Sequence, residues 1–565
     1  MKKALSLILC LCMLLSMGAV AVSAAEDELV INIATDIHFD QESMASSVPK
    51  RNSISEDFAH VADQGKLYSE SMAIIASFLK KSAADNSQAI LIPGDLADSG
   101  IEKEMEKVAL MFAAFEEETG KQIYVVPGNH DVSKTDASLF VSWFSAFGYD
   151  EAIARDPNSA SYVADLDDNY RLLAIDSTLA ISGACGIDAK RSEWIRQQCE
   201  TAQNEGKKMI AMMHHNLLPH LVLIDMLHPG SLVPDSVGLK EIFTKYGVKY
   251  TFTGHTHEND IASYTGANGE VIYDVITGSM NVYPCPYRTV TFGDEVKFEM
   301  KSIDVIDDTF VPAKGMSAVA RELMNSDFTA YARKSVDIGF EMTINSIVSR
   351  PSYVKNLLKI DSKTEPEMSA IIDKILPALE EAVNMPFYAK DETAEGMSIE
   401  SILKDYNVTI PASKYKNVCE LGVTIYVDHT EGDENYQAYN NEVVLASKGI
   451  GAVLIYALKD VSAEEYTQAL NYVCKLLKVD VPADLISYAG NTIDRFEGIE
   501  LVISTAILPL ILKITVDDAP GDCNVTLAGY GNLIESEAEN HTFWQKVEAF
   551  FIKIFSFFMS IFAFI

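Results

Sequence analysis

Five short polar clusters in the first half of this 565-residue chain combine residue types that bind cations. In order they are Asp36-Ile37-His38, Gly94-Asp95, Gly128-Asn129-His130-Asp131, Met213-His214-His215 and Gly254-His255-Thr256-His257. Each follows an apolar run, so each is expected on the loop at the end of a buried strand, where open α/β sheets bind ligands. Asp36 and His38 are two apart, as are His255 and His257, and in extended backbone residues two apart point to the same side. The first pair can therefore reach one ion, and the second can serve neighbouring ions. Carboxylate, amide and imidazole donors suit manganese, iron or zinc better than a thiolate set would. Two such cations about 3.5–4 Å apart can hold a phosphate between them, activate water and neutralise the charge of in-line attack. The expected cofactors are thus two divalent or trivalent ions, with Asp95 as the shared carboxylate.

Regular elements must bring these clusters together. Leu29 to Thr35 reads as a first strand, rich in Val and Ile, that delivers Asp36 and His38. Tyr68, Met72, Ile75 and Leu79 recur at helical spacing, and so do Ile101, Met105, Val108, Phe112 and Phe115. Strands are expected at 89–93 and 122–127, each running into a cluster. The rhythm continues with strands near 171–175, 208–213 and 249–253, and helices near 188–202 and 236–246. Further strands are expected at 271–276 and 288–292. Alternation of strand and helix in this order argues for a layered α/β domain. Nine of the eleven histidines precede residue 260, which puts the chemistry in this part.

Beyond residue 305 the periodicity becomes helical, as in 328–348 and 367–383, with a hairpin expected around 517–522. Residues 306–530 are read as a second, mainly helical domain that either covers the cleft or simply packs beside it. The stretch 531–565 is a linker followed by a segment, Phe543 to Ile565, that is apolar almost all round. It is expected to touch a membrane surface, with docking on protein and a true span as the alternatives.

Residues 1–25 have the plan of a secretory signal: Lys2 and Lys3, an apolar run, then small residues ending in Ala24-Ala25. An uncleaved anchor is the alternative. The expected location is extracellular or at the cell surface. The formal charge is −36, and two more negative once Lys2 and Lys3 leave. So acidic a chain repels polyanions, which argues against nonspecific nucleic-acid binding. Cys185, Cys199, Cys285, Cys419, Cys474 and Cys523 show no C-x-x-C spacing, so a cysteine-ligated zinc site is not expected and no disulfide pairing is selected. His60, His220, His228, His429 and His541 are read as structural or exposed.

In its order of D-x-H, GD, GNHD, H and GHTH, the chain resembles the calcineurin-like metallophosphoesterase superfamily over about residues 27–292. The resemblance implies an αββα-type sandwich in residues 26–305. It implies Asp36, His38, Asp95 and His257 on one metal, and Asp95, Asn129, His214 and His255 on the other. His130 would contact phosphate or donate a proton, with Asp131 orienting it. His215, beside His214, is the other candidate for the ligand after that strand. Gly94-Asp95-Leu96-Ala97-Asp98 and the Gly278 to Arg288 stretch look most like secreted bacterial cyclic nucleotide phosphodiesterases, some with a helical C-terminal domain; Arg288 would then meet the substrate phosphate. Asp98 and Asp131 have the plainer reading of loop caps. The expected activity is hydrolysis of a small phosphodiester, with cyclic nucleotides as candidates. A phosphomonoesterase or nucleotidase, and a surface binding protein with a degenerate hydrolase domain, are the competing readings.

Overall fold

The computed structural model describes residues 28–40 and 56–462 with short interruptions at 135, 181–183, 221–229, 313–314, 358–359, 390–396, 433–435 and 437–439. It also describes a few positions between 464 and 512, and residues 521–530. The expected signal segment and the apolar stretch at 543–565 lie outside the described residues, as do His228, Cys474 and His541. Among the described residues no helix is long and apolar enough to cross a membrane, and Cys185, Cys199, Cys285 and Cys419 are free thiols.

Among the described residues thirteen strands follow one another: β1 (Leu29–Ile33), β2 (Ala89–Ile92), β3 (Gln122–Val125), β4 (Ala154–Arg155), β5 (Tyr162–Asp165), β6 (Tyr170–Ile175), β7 (Lys208–Met213), β8 (Tyr250–Thr253), β9 (Asp260–Thr265), β10 (Val271–Ile276), β11 (Pro286–Phe292), β12 (Glu295–Ser302) and β13 (Asn524–Ala528). They form a six-stranded sheet in the order β13-β12-β11-β1-β2-β3 and a seven-stranded sheet in the order β4-β5-β6-β7-β8-β10-β9. β1, β2 and β3 run parallel, as do β6, β7 and β8. The ligand-bearing loops therefore leave both sheets at their carboxyl ends.

Strand alternation shows how the layers stack. On β7, Ile210 and Met212 join the large core shared with the first sheet, whereas Met209, Ala211 and Met213 join a second core beneath outer helices. β6 divides in the same way, Leu172 and Ala174 to one side, Leu173 and Ile175 to the other. A strand covered on both faces has no polar side, which is why these segments read as continuous apolar runs. Helix α1 (Ser71–Ala84) buries Ile74, Ile75, Phe78 and Leu79, and α2 (Glu102–Thr119) buries Met105, Val108, Phe112 and Phe115 against the first sheet. Gly120, at φ 71°, ends α2 in the left-handed conformation that only glycine adopts without cost. A short helix, α3 (Ala137–Phe144), follows the third strand. On the second sheet, α4 (Ala189–Asn204) is capped by Asp188, which accepts from the Lys190 and Arg191 amides, and α5 (Leu239–Tyr246) follows. The result is the four-layer sandwich expected.

The mainly helical part comprises α6 (Ala318–Ser326), α7 (Phe328–Val348), α8 (Pro351–Leu357), α9 (Pro366–Val383), α10 (Ile399–Lys404), α11 (Val418–Glu431) and α12 (Asn441–Ala457) around a core of its own. The chain then returns. β13 pairs antiparallel with β12 and closes the edge of the first sheet. At its end, Tyr250 Oη donates to the Ala528 carbonyl at 2.7 Å, and just beyond it Tyr530 Oη donates to that of Met209 at 2.6 Å, tying this edge to the second sheet. Residues 521–530, read from sequence as the end of the helical part, thus complete the sandwich.

Candidate metal centre

The loops that follow β1, β2, β3, β7 and β8 are fastened to one another before any side chain is considered. Asp36 N donates to Gly94 O at 3.2 Å, His38 N to Asp95 O at 2.9 Å, and Gly254 N to His214 O at 3.1 Å. Asp36 (φ 51°), His38 (φ 43°), Asp95 (φ 51°), His255 (φ 79°) and His257 (φ 62°) all have left-handed backbone. Such conformations cost about 1–3 kcal/mol each in residues with a side chain and cluster at functional sites. The extended geometry expected for the two D-x-H and H-x-H pairs is therefore corrected: the chain turns sharply at these residues instead of alternating. Glycines allow the loops to close. A Cβ on Gly128 would stand 2.1 Å from Asp95 Oδ1, and one on Gly254 would stand 2.2 Å from Asp36 Oδ2.

Two sets of donor atoms result. In the first, His257 Nε2 lies 3.3 Å from Asp36 Oδ1 and 3.0 Å from His38 Nε2, and His38 Nε2 lies 3.8 Å from Asp95 Oδ2. In the second, His214 Nε2 lies 3.3 Å from Asp95 Oδ2, and Asn129 Oδ1 lies 2.8 Å from His214 Nε2 and 2.9 Å from His255 Nδ1. Asp95 stands between the sets. Asp36, His38 and His257 offer one ligand atom each within 4.8 Å of one another, and so do Asp36, Asp95 and His214. The structure thus brings all seven expected ligands to one place. His255 faces the cluster through Nδ1, because its Nε2 meets Ser231 Oγ at 3.0 Å.

These residues fit a pair of cations. Asp36 Oδ1 is buried with no hydrogen-bond partner, a costly state for a carboxylate oxygen unless a cation meets it. Burial disfavours the Asp36 and Asp95 carboxylates, but the surrounding histidines outweigh it and hold both well below the usual range. Burial, Lys66 and His130 push His38 down to about 3, and burial with His215 and His214 pushes His255 well down, so both offer neutral lone pairs. At His214 burial opposes the charge, yet Asp95 and Asp36 raise it to about 9. The field that holds a proton there attracts a cation equally. His214 Nδ1 lies 3.0 Å from Pro93 O, which turns Nε2 to the cluster, as outer partners of metal-binding histidines commonly do.

Around the ligands three expectations change. His130 is placed at the cluster, with a half-buried side chain and its Nδ1 2.5 Å from the Asp98 carbonyl. Asp131 does not orient it: its carboxylate accepts from the amides of Leu96 at 3.2 Å, Ala97 at 2.8 Å and Gly128 at 2.8 Å, which makes it the brace of the Asp95 and Asn129 loops. Asp98, more than a loop cap, lies 3.2 Å from His38 Nδ1 through Oδ1. Arg288 is not at the phosphate site. Its fully buried guanidinium donates to the carbonyls of Ile276, at 2.9 Å, and Asp522, so it locks the chain before β13 onto the end of β10. His215 turns away from Asn129, its Nδ1 2.9 Å from Ser177 Oγ. Sequence reasoning did not single out Lys66 or Ser231, which lie in loops without periodicity, and it read Tyr68 only as the start of a helical stripe, whereas the helix begins at Ser71; only the second Asp of G-D-x-x-D offered a signal for this outer layer.

A family model described as Calcineurin-like phosphoesterase matches residues 29–259. No curated protein matches. Among solved structures, a dimetal phosphatase from Danio rerio is similar at 11% identity and a TM-score of 0.36, over 48% of this chain and 96% of that one. The purple acid phosphatase PPD1 of yellow lupin, Lupinus luteus, is 12% identical with a TM-score of 0.33, over 49% of this chain and 51% of that one. The NAD nucleotidase of Haemophilus influenzae is 11% identical with a TM-score of 0.28, over 55% of this chain and 60% of that one. With the ordered ligand motifs, the layered sandwich and the family match in agreement, residues 29–259 are a calcineurin-like metallophosphoesterase domain.

Proposed function

We propose that this chain is an exported hydrolase that uses two metal ions, manganese, iron or zinc, to cleave small phosphodiesters, with cyclic nucleotides as the first candidates. The observation that carries the reading is the convergence of seven donor residues from five strand ends around Asp36 Oδ1, a buried oxygen with no hydrogen-bond partner and the His257 and His38 imidazoles beside it. Asp36, His38, Asp95 and His257 would hold one ion, and Asp95, Asn129, His214 and His255 the other. Bound there, the ions would supply positive charge for the phosphate and a more acidic water. The protein's part is to fix the ligands, through Pro93 O and Ser231 on the second set and Asp98 on the first. His130, whose Nδ1 donates to the Asp98 carbonyl, would as the imidazolium give its Nε2 proton to the departing oxygen and be left neutral, a role typically worth about 10²–10⁴ in rate. With Arg288 buried elsewhere, a singly charged diester suits the site better than a doubly charged monoester. The leader-like residues 1–25 support export, and the apolar 543–565 supports contact with a membrane surface.

The test is the manganese-loaded protein assayed on a bis-aryl phosphodiester, the matching monoester and 3′,5′-cyclic AMP, with Asp95→Ala as control. Diester and cyclic nucleotide hydrolysis lost in the control is expected. Activity on the monoester alone would replace the reading with a phosphomonoesterase. Bound metal without turnover of any substrate would leave a binding protein.

A further inference from the structure

Lys66 is buried beside the first ligand set, where the cations themselves need no further positive charge. A buried ammonium is costly unless it is paired. Its Nζ lies 3.3 Å from Asp98 Oδ1 and 3.4 Å from His38 Nδ1. Tyr68 Oη donates to the same carboxylate oxygen at 3.0 Å, and His38 Nδ1 is 3.2 Å from it. One oxygen of Asp98 thus gathers an ammonium, a phenol and the outer nitrogen of a metal-ligand histidine.

We propose that Lys66 and Tyr68 are positioning residues that hold Asp98 where its carboxylate accepts a hydrogen bond from the Nδ1–H of His38, leaving the Nε2 lone pair turned to the first cation. The proposal rests on the dinuclear reading above and says how one half of that site is kept in tune. An imidazole presents Nε2 to a metal only in the tautomer whose proton is on Nδ1, and a carboxylate at Nδ1 selects that tautomer and the ring angle. A carboxylate held by one contact can rotate; two donors on the same oxygen fix it.

The seat of Lys66 is made by the helical part. A Cβ on Gly65 (φ 71°) would lie 2.3 Å from Val336 Cα, and one on Gly339 would lie 2.0 Å from Gly65 N, so α7 and the Gly65 turn touch backbone to backbone. Tyr331 of α7 donates to Glu70 Oε1 at 2.7 Å, on the far side of the same segment. Leu67 N donates to Asn281 O at 2.8 Å, and Asn281 Nδ2 reaches the His38 carbonyl at 3.4 Å. The helical part therefore reaches a metal ligand through Lys66, a physical link from α7 to His38.

The experiment compares the full chain with Lys66→Met, Lys66→Arg, Tyr68→Phe and Asp98→Asn, alone and with Asp98→Asn combined with each of the others. Manganese affinity is read by calorimetry, kcat and KM on the best substrate, and folding by circular dichroism of the metal-free protein. Lys66→Met is expected to weaken the binding of one manganese ion about 10- to 100-fold and to lower kcat, the usual scale for outer-layer partners of metal ligands. Tyr68→Phe should move both in the same direction by less, and Lys66→Arg should recover part of the loss. In the Asp98→Asn background Lys66→Met and Tyr68→Phe should add little, as expected for residues acting through one carboxylate. The proposal is overturned if Lys66→Met and Tyr68→Phe both bind manganese like the parent, or if their losses multiply in full with that of Asp98→Asn. Should Lys66→Met not fold, Tyr68→Phe and its double variant decide. A parent that binds two ions but cleaves no phosphoester would end the hydrolase reading, while the affinities still judge this one.

Discussion

His214 Nε2 and His255 Nδ1 face each other at 3.1 Å, and both lie within hydrogen-bond distance of Asn129 Oδ1. Three donors from three different loops thus surround one point, and the amide oxygen is the part that neither histidine can replace. Asn129→Ala is expected to reduce manganese stoichiometry from two ions to one, or to weaken the second ion about 10- to 100-fold, on the scale of disturbed metal sites. Titration calorimetry with metal analysis checks this; unchanged binding of both ions would contradict the assignment of the second set.

The two glycines that let the loops close give a test that touches no ligand. In Gly128→Ala the new methyl group collides with Asp95, and in Gly254→Ala with Asp36. A displacement of about 1 Å in a catalytic group can cost about 10²-fold, so each variant should lose about that much in kcat while remaining folded. Steady-state kinetics with circular dichroism measures both. Full activity in either variant would mean that the loops do not need this close approach.

Both glycines were visible in the sequence, as was most of what surrounds them. The strand ends at 33–36, 92–95, 125–129 and 213–214 were legible because a buried parallel strand writes itself as an apolar run followed by polar residues, a purely local signal. Arg288 was misread because its partners, Ile276 O and Asp522 O, belong to contacts that the local pattern does not encode; Asp522 comes after the whole helical part. Asp131 was given to His130 by the family resemblance, but a buried carboxylate goes where amides are free, and those are on the loop at 96–97 and at Gly128. β12 was overlooked although its alternation is plain, Val296 and Phe298 buried between exposed Glu295, Lys297 and Glu299. β13 carried no such hint, since its place beside β12 is settled by tertiary pairing.

The corrected place of Arg288 separates two roles. If it fastens the returning chain, Arg288→Met should lower unfolding free energy by about 1.5–3 kcal/mol for each lost charged hydrogen bond, and leave KM for the phosphoester unchanged. Denaturant unfolding and kinetics on the same preparation test it. A raised KM with unchanged stability would restore the substrate contact.

His220 supplies a pH dependence away from the ligands. Its ring is buried between Asp260, 2.6 Å from Nδ1, and Asp274, 3.2 Å from Nε2. Burial opposes its charge, but the two carboxylates win and raise it to about 10. A histidine raised on folding gives its full stabilisation below its unfolded pKa of 6.5 and loses it as pH climbs towards about 10. Stability measured by urea unfolding should therefore fall across that window, and His220→Gln should flatten the fall while costing about 3–5 kcal/mol at pH 6, the usual loss when one partner of a buried ion pair is removed. A variant with the same pH profile as the parent would show that His220 is not charged in the fold.

The account stands or falls on where the ions sit, and anomalous diffraction from a manganese-soaked crystal of the full chain reads that directly. It predicts two peaks about 3.5–4 Å apart, one among Asp36, His38, Asp95 and His257, the other among Asp95, Asn129, His214 and His255. A single peak that Asp95 does not touch, or manganese bound only outside these two sets, would contradict it.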